Sequence, residues 1–235
     1  MYDLLGRGFS SPHPTGKYDD EAHIDQLRQL LVHLNIASSG RKYDILAHSM
    51  GGGLGALYAA NYPMEINSLT LVAPTGLMKI PIMPIIRNVR LIRYALRNSK
   101  QKNQEADWRA DFYDNITFGE NLNKLNAVVS ANWLQYKNNS DAFNAFFRTI
   151  IEFPFTGTEA KLKILADTAE LPILIIWGKE DKAVPYSCLQ SWTVSVFVDT
   201  TRAVQARCIL NSVSILFYSI VFLFRRQSWR RGHAS

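Results

Sequence analysis

The stretch from Tyr43 to Pro63 reads YDILAHSMGGGLGALYAANYP. It contains a single serine, Ser49, which is separated by one methionine from three consecutive glycines. A serine hydroxyl attacks a carbonyl carbon efficiently when a neighbouring base accepts its proton and hydrogen-bond donors stabilise the resulting oxyanion. Glycines beside such a serine have a physical purpose, because a sharp strand-to-helix turn leaves no room for larger side chains. We therefore expect Ser49 at such a turn, with Gly51–Gly53 behind it and the Met50 amide as an oxyanion donor at a helix N-terminus.

The elements around this stretch alternate between strand and helix patterns, which is typical of a parallel sheet with crossover helices. Apolar residues recur at helical spacing from 24 to 34, behind acids at 19–21, and predict an amphipathic helix that ends near Gly40. Strands are predicted at 2–5, 43–47, 68–73 and 172–178, and a helix at 51–61. The residues from 74 to 171 have mostly helical patterns and are interpreted as an inserted cap.

Four segments, in order, resemble the alpha/beta-hydrolase superfamily between Tyr2 and about Pro185. The first two are YDLLGRGFSSP, similar to a strand and loop of the family, and AHSMGG, similar to its nucleophile elbow, with Ala47 in place of the usual first glycine. The other two are LTLVAPTGL, similar to the strand after the elbow, and PILIIWGKEDKAVP, similar to the segment that bears the catalytic acid. The resemblance implies a partial alpha/beta-hydrolase fold of the α/β class, with a mainly parallel sheet, crossover helices and a helical cap.

The domain organisation that follows has four parts. Residues 1–73 form the first part of the core, with the elbow, and residues 74–171 form the cap. Residues 172–186 return to the core with a strand and the acid loop, and residues 187–235 form a divergent basic and apolar tail. Family members have further strands before the first segment and a loop that supplies a second oxyanion donor. We therefore expect a shortened form of a longer hydrolase, whose elbow strand lies at an exposed sheet edge.

The resemblance also assigns roles at the site. Ser49 would be the nucleophile, the Met50 amide would belong to the oxyanion hole, and Asp181 would orient the catalytic histidine. An ordinary glycine-rich turn is the alternative at Ser49, and SMGG alone would favour it. A solvated loop acid is the alternative at Asp181, with Glu180 as its rival, although the spacing to AVP favours Asp181.

The catalytic histidine is the difficult assignment. In the family it lies a few tens of residues after the acid, and here His233 is the only histidine beyond Asp181. His233 is therefore the candidate base, although it follows an arginine cluster two residues before the end. His48 is interpreted as a structural or cavity-lining residue. Three more are interpreted as surface residues, namely His13, His23 and His33.

The charge distribution argues against one class of partner. Residues 186–235 hold six arginines and one acid, and therefore +5 of the net charge of +6, so the rest of the chain is nearly neutral. We find no basic stripe interleaved with aromatic residues and no zinc-finger spacing, which argues against nucleic-acid binding. Cys188 and Cys208 form neither a CxxC pair nor a disulfide framework.

The tail contains an uncharged run of 17 residues, 208–224, followed by four arginines. A membrane-spanning helix needs about 20 apolar residues, so the run is borderline. A buried strand or helix, or a non-native C-terminus, is the alternative. The first residues lack a signal-peptide core, so the chain is expected to be cytoplasmic or membrane-associated, not secreted.

The predicted cap indicates the substrate class. Between Pro81 and Lys102, four arginines occupy one side of a predicted helix and apolar residues another, as in helices that lie on anionic membranes. Packing on the cap's own core, with a solvated arginine face, is the equal alternative. The stretch DAFNAFFRTIIEF, with Phe143, Phe146, Phe147 and Ile150, is interpreted as part of the cap core in preference to an acyl-binding pocket.

The preferred reading is a serine hydrolase that cleaves an apolar carboxylic ester or a lipid through an acyl-enzyme on Ser49, without metal or cofactor. A catalytically inactive, truncated hydrolase-fold protein is the second interpretation, favoured by the absence of a family-like histidine loop after Asp181 and of the loop that supplies the second oxyanion donor. A membrane-attached protein anchored by its tail is the third.

Overall fold

The computed structural model describes residues 2–37, 39–100, 127, 130, 134, 136, 137, 139–167, 171–181, 183–196, 207–210 and 221–224. The helices are α1 (Asp20–His33), α2 (Met50–Asn61), α3 (Met83–Asn88), α4 (Ser140–Glu152), α5 (Glu159–Asp167) and α6 (Cys188–Val196). The strands are β1 (Tyr43–His48), β2 (Ile66–Val72), β3 (Ile173–Gly178), β4 (Arg207–Leu210) and β5 (Val221–Phe224). Residues 90–100 are also helical.

The strands form one sheet in the order β4-β3-β2-β1-β5. The pairs β1–β2, β2–β3 and β3–β4 are parallel, and β5 runs antiparallel to β1. Helix α2 is the crossover between β1 and β2, and it contacts both strands as well as α1 and α5. The predicted α/β architecture with a mainly parallel sheet is therefore confirmed.

The edge of β1 differs from the expectation. β5 pairs with β1 from Asp44 opposite Phe224 to Ala47 opposite Val221, so this edge is covered. The prediction of an exposed edge is wrong, because free backbone groups at a sheet edge readily accept another strand. Both ends of the apolar 208–224 run are therefore in strands, and residues 211–220 lie outside the described part. In the described ranges, no helix combines the length and hydropathy required to cross a bilayer.

Residues 2–5 form a loop where a strand was predicted. Asp3 closes this loop, because its Oδ2 accepts the Phe9 amide at 3.1 Å and its carbonyl accepts the Ser10 hydroxyl at 2.6 Å. Leu4 is buried. The polar groups of this segment therefore form hydrogen bonds within the loop and not with a neighbouring strand.

Helix α1 begins behind Asp19, whose Oδ1 accepts the Ala22 amide at 2.9 Å as an N-cap. His23 lies four and eight residues before Leu27 and Leu31, so helical spacing places it on the same buried face. The interpretation of His23 as a surface residue is wrong, since its side chain is fully buried. Burial, with a smaller contribution from the charge of Arg7, lowers its pKa to about 3.

The glycines of α2 have close neighbours. A Cβ on Gly52 would lie 2.9 Å from Pro74 Cα, one on Gly53 would lie 2.8 Å from the Thr75 carbonyl oxygen, and one on Gly55 would lie 2.8 Å from Ala47 Cβ. Two of these contacts are to backbone, which cannot move aside cheaply. The glycines therefore allow α2 to approach both β1 and the loop that follows β2.

The described elements between 74 and 171 are helical, namely α3, residues 90–100, α4 and α5. Helix α3 ends before Val89, whose φ of −101° and ψ of 103° are extended, so the single basic helix expected from 81 to 102 is interrupted. Residues 101–126 lie outside the described part, and the division into core, cap and tail stays a prediction.

We predict that Gly55→Ala lowers the free energy of unfolding by about 1–2 kcal/mol. Alanine gains about 1 kcal/mol in helix propensity, but its methyl group overlaps that of Ala47. Denaturant-induced unfolding measures the difference. Adding Ala47→Gly removes the opposing methyl group, so the double variant should be about 1 kcal/mol more stable than the sum of the single effects. Strictly additive effects would show that this contact does not limit the helix–strand distance.

Candidate active site

Ser49 occupies the turn between β1 and α2. Its φ of 54° and ψ of −125° lie in a region that serine rarely adopts and that costs about 1–3 kcal/mol. The Ser49 amide donates to the Val72 carbonyl at 2.9 Å, and its carbonyl accepts the amides of Gly53 at 3.2 Å and Thr75 at 3.0 Å. The backbone of Ser49 is thus held by β2, by α2 and by the loop after β2.

Met50 is the first residue of α2 and is half-buried. Amides in the first turn of a helix have no acceptor within the helix, and the helix dipole gives this end a partial positive charge. The Met50 amide therefore belongs to a region that favours negative charge beside Ser49.

A cavity of about 340 Å³ opens beside Ser49. Most of its lining is apolar: Leu4, Met50, Met78, Ile80, Met83, Phe146, Ile150, Phe155 and Val184. Its polar and charged lining residues include Asp3, Arg7, His48, Ser49, Thr75, Tyr136, Thr149 and Asp181. Such a lining suits a ligand that is mainly apolar and carries a few polar groups.

Asp181 follows β3 and lines the same cavity as Ser49. Its Oδ1 accepts the amides of Ala183 and Val184, both at 2.9 Å, and Trp177 Nε1 donates to the Val184 carbonyl at 2.9 Å. Burial raises the pKa of Asp181, and the two amide bonds oppose that rise. The rival acid, Glu180, is exposed and is not part of the cavity lining.

Two histidines bear on the site. His48 lines the cavity, as interpreted from the sequence. His233, the candidate base, lies outside the described residues, and its role stays a prediction. Within the described ranges, no group of histidine, cysteine and acidic side chains is placed to hold a metal ion.

Helix α4 contributes lining residues that the sequence interpretation placed in the cap core. Phe143 and Phe147 are buried, whereas Phe146 and Ile150 line the cavity. Phe146 and Ile150 are four residues apart and so share one face of the helix, a spacing that could have identified them. Arg7 was missed as well, although it lies within a segment that resembles the family.

The comparisons with known proteins agree with this fold. A family model described as the alpha/beta hydrolase fold matches residues 1–193. The chain is 29% identical over 184 residues to Lipase 3 of Moraxella sp. (strain TA144), with 77% of this chain and 54% of that protein covered. It is 23% identical over 176 residues to the monoacylglycerol lipase ABHD6 of Mus musculus, with 72% and 50% covered. The chain thus spans about half the length of these curated relatives.

Among solved structures, a hydrolase from Oleispira antarctica superimposes with a TM-score of 0.60 at 18% identity, over 88% of this chain and 71% of that one. Identity at this level shows the fold alone. The family match, however, takes in both the Ser49 turn and the Asp181 loop. With sequence and architecture in agreement, this chain is a member of the alpha/beta hydrolase fold family.

Proposed function

We propose that the chain is a serine hydrolase that cleaves a carboxylic ester with an apolar acyl part, through an acyl-enzyme on Ser49. One observation carries the proposal: Ser49 is held at a positive φ at the start of α2 and faces a mainly apolar cavity that Asp181 also lines. A strained backbone conformation persists only where the surrounding structure holds it in place, and such positions cluster at functional sites.

The chemistry assigns one role to each group. Ser49 Oγ bonds to the ester carbonyl carbon while its proton passes to a histidine base, for which His233 is the candidate. The Met50 amide stabilises the oxyanion, and Asp181 orients the base and stabilises its cation. The base returns the proton to the leaving alcohol, and water then releases the acid by the same route in reverse order.

The lining of the cavity supports an acyl chain as the apolar part of the substrate. Phe146, Ile150, Met78 and Met83 are side chains against which a hydrocarbon chain packs without losing hydrogen bonds. The relatives named lipase and monoacylglycerol lipase point to the same substrate class, a lipid or acylglycerol ester.

A second candidate is a hydrolase-fold protein that binds such a lipid without cleaving it. The observation that favours it concerns the base, because His48 is the only histidine that lines the cavity in the described ranges. A serine without a base within reach loses most of its reactivity. Labelling of Ser49 separates the two candidates.

We also propose that the surface formed by residues 82–94 rests on an anionic membrane. Leu91 is 75% exposed and Tyr94 is 63% exposed, while Met83 of the same segment lines the cavity. Residues 79–100 hold six lysines and arginines and no acid. Exposed apolar side chains among cations are what an anionic bilayer surface binds.

Two of the cap arginines have other partners. Arg87 donates from Nε to the Ile151 carbonyl at 2.8 Å and from Nη2 to the Phe153 carbonyl at 2.9 Å. Arg97 donates to Asn144 Oδ1 at 2.6 Å. These bonds fix the segment against α4, so the membrane proposal rests on the exposed apolar side chains and on the remaining cations.

Ser49→Ala is expected to reduce labelling by a fluorophosphonate probe by about a hundredfold or more, because the probe reacts with an activated serine oxygen. Gel fluorescence or intact-mass measurement follows the reaction. The control is Ser39→Ala, which removes an exposed hydroxyl bonded to the Ile36 carbonyl. Labelling that survives in Ser49→Ala, or a wild-type chain that stays unlabelled at neutral pH, would reject the proposed hydrolase.

His233→Ala should slow labelling more than His48→Ala does, and the reverse order would reject His233 as the base.

Asp181→Asn is expected to leave the free energy of unfolding at pH 7 equal to or above that of the wild type. The pKa of Asp181 is raised in the folded chain, so the folded state binds this proton more tightly than the unfolded state. Stability is therefore lost as pH rises from the ordinary value of 3.8 through the raised folded value. Asparagine removes this loss and keeps an oxygen for the two amides.

The same Asp181→Asn variant should label at least about a hundredfold more slowly, because the base loses its orienting charge. Glu180→Gln is the matched control and should change neither stability nor labelling. Unfolding curves at pH 4 to 8 and labelling rates supply the readouts. A destabilised variant with full reactivity would show that the carboxylate has a structural role only.

Leu91→Asp is expected to weaken co-sedimentation with phosphatidylserine-containing vesicles by about tenfold. A leucine that becomes buried in the bilayer surface contributes about 1.5–3 kcal/mol to binding, and the anionic lipids repel the new carboxylate. Val194→Asp is the control, because Val194 is 71% exposed on α6. Equal losses in the two variants, or equal binding to phosphatidylcholine vesicles, would contradict an anionic-membrane surface.

A further inference from the structure

We propose that Arg7 binds an anionic group, a carboxylate or a phosphate, of the molecule that occupies the Ser49 cavity. The substrate would then be an amphiphile with an acyl chain and a negatively charged group. This inference deepens the proposed function and rests on it in calling the ligand a substrate. The binding of the anion itself requires no chemistry at Ser49.

The position of Arg7 is defined on two sides. Gly6 and Gly8 flank it with φ values of 70° and 53°, so the loop turns sharply at this residue. Arg7 Cζ lies 5.9 Å from the centroid of the Phe146 ring, a cation–π contact, and the guanidinium donates to the Tyr136 hydroxyl. These two aromatic residues line the same cavity as Arg7 and Ser49.

The charge of Arg7 lacks a counter-charge in the described ranges. None of the ion pairs formed by described residues includes it. Its Nε is buried and has no hydrogen-bond partner there. Burial lowers the pKa of Arg7, with the Tyr136 hydroxyl opposing that effect, but an arginine keeps its proton at neutral pH.

The two carboxylates of the cavity lining have other bonds. Asp3 Oδ2 accepts the Phe9 amide at 3.1 Å, and Asp181 Oδ1 accepts two amides of its own loop. The nearby His23 is neutral, since its pKa is lowered to about 3. A half-buried cation that forms no ion pair in the described ranges is costly, and a ligand that brings an anion would offset this cost.

The geometry of arginine favours an anion over a neutral acceptor. A guanidinium donates two parallel hydrogen bonds to a carboxylate or a phosphate, which a single carbonyl or hydroxyl oxygen cannot accept in the same way. The mainly apolar lining also strengthens an ionic attraction, because it lowers the local dielectric constant. The apolar lining and Arg7 therefore select different parts of one ligand.

The test measures binding of three ten-carbon probes to the full chain at pH 7 by calorimetry: decanoate, decyl phosphate and decanol. We expect at least one anion to bind about tenfold or more tightly than decanol, which is the usual effect of a charged hydrogen bond. The tighter of the two anions identifies the group as a carboxylate or a phosphate. Arg7→Gln should abolish the preference for the anion. Arg7→Lys should reduce it, because lysine keeps the charge but cannot donate two parallel hydrogen bonds to the anion.

Arg41→Gln is the matched control, because it removes an exposed cation in the loop between α1 and β1, away from the cavity and from residues 82–94, and should keep the preference. Equal binding of all three probes by the wild type, or a preference that survives in Arg7→Gln, would overturn the proposal. Should Arg7→Gln fail to fold, an unchanged preference in Arg7→Lys would overturn it instead. Labelling of Ser49 is a separate readout: an Arg7-dependent preference without labelling would retain this inference and reject the hydrolase, and labelling without a preference would do the reverse.

Discussion

The close approach of α2 to the sheet is the constraint on which the rest of the structure depends. Gly52 and Gly53 leave no room for a Cβ against Pro74 and Thr75, and Gly55 leaves none against Ala47. This approach brings the start of the helix directly behind β1, and Ser49 accepts a positive φ to make the connection. These tight contacts hold the strained turn in place and put Ser49 at the N-terminal end of the α2 dipole, beside the cavity.

Charged side chains, including Asp181 and Arg7, also line the mainly apolar cavity. Asp181 is half-buried with its pKa raised by burial, and Arg7 is half-buried beside the Phe146 ring and forms no ion pair in the described ranges. Both arrangements are expensive for folding, because charges lose hydration when they leave water. Proteins commonly accept such losses at sites that bind or react, where activity and stability oppose each other. The proposed hydrolysis and the proposed anion binding give each charge a purpose.

The second wall of the cavity comes from a distant part of the chain. Helix α4 contributes Phe146, Thr149 and Ile150 to the lining of the cavity beside Ser49, and Arg87 links α3 to the end of α4 by hydrogen bonds to two carbonyl groups. The same α3 region exposes apolar side chains on its outer surface and contributes Met83 to the cavity. A membrane surface on one side of this segment and a ligand on the other would therefore be separated by a single layer of helix.

The sequence by itself determined the elements around the Ser49 turn and the family, because strand and helix periodicity and the glycines around Ser49 are local properties of the chain. It also identified Ser49 and Asp181 as candidates, since the segments AHSMGG and PILIIWGKEDKAVP resemble the family's elbow and acid segments. Helical spacing also places His23 on the face of Leu27 and Leu31, although the sequence interpretation overlooked it. Only the tertiary structure decided that β5 covers β1 and that Arg7 and helix α4 line one cavity with Ser49. Each of these depends on which distant segments meet, and residues far apart in the chain leave no periodic trace of their contact.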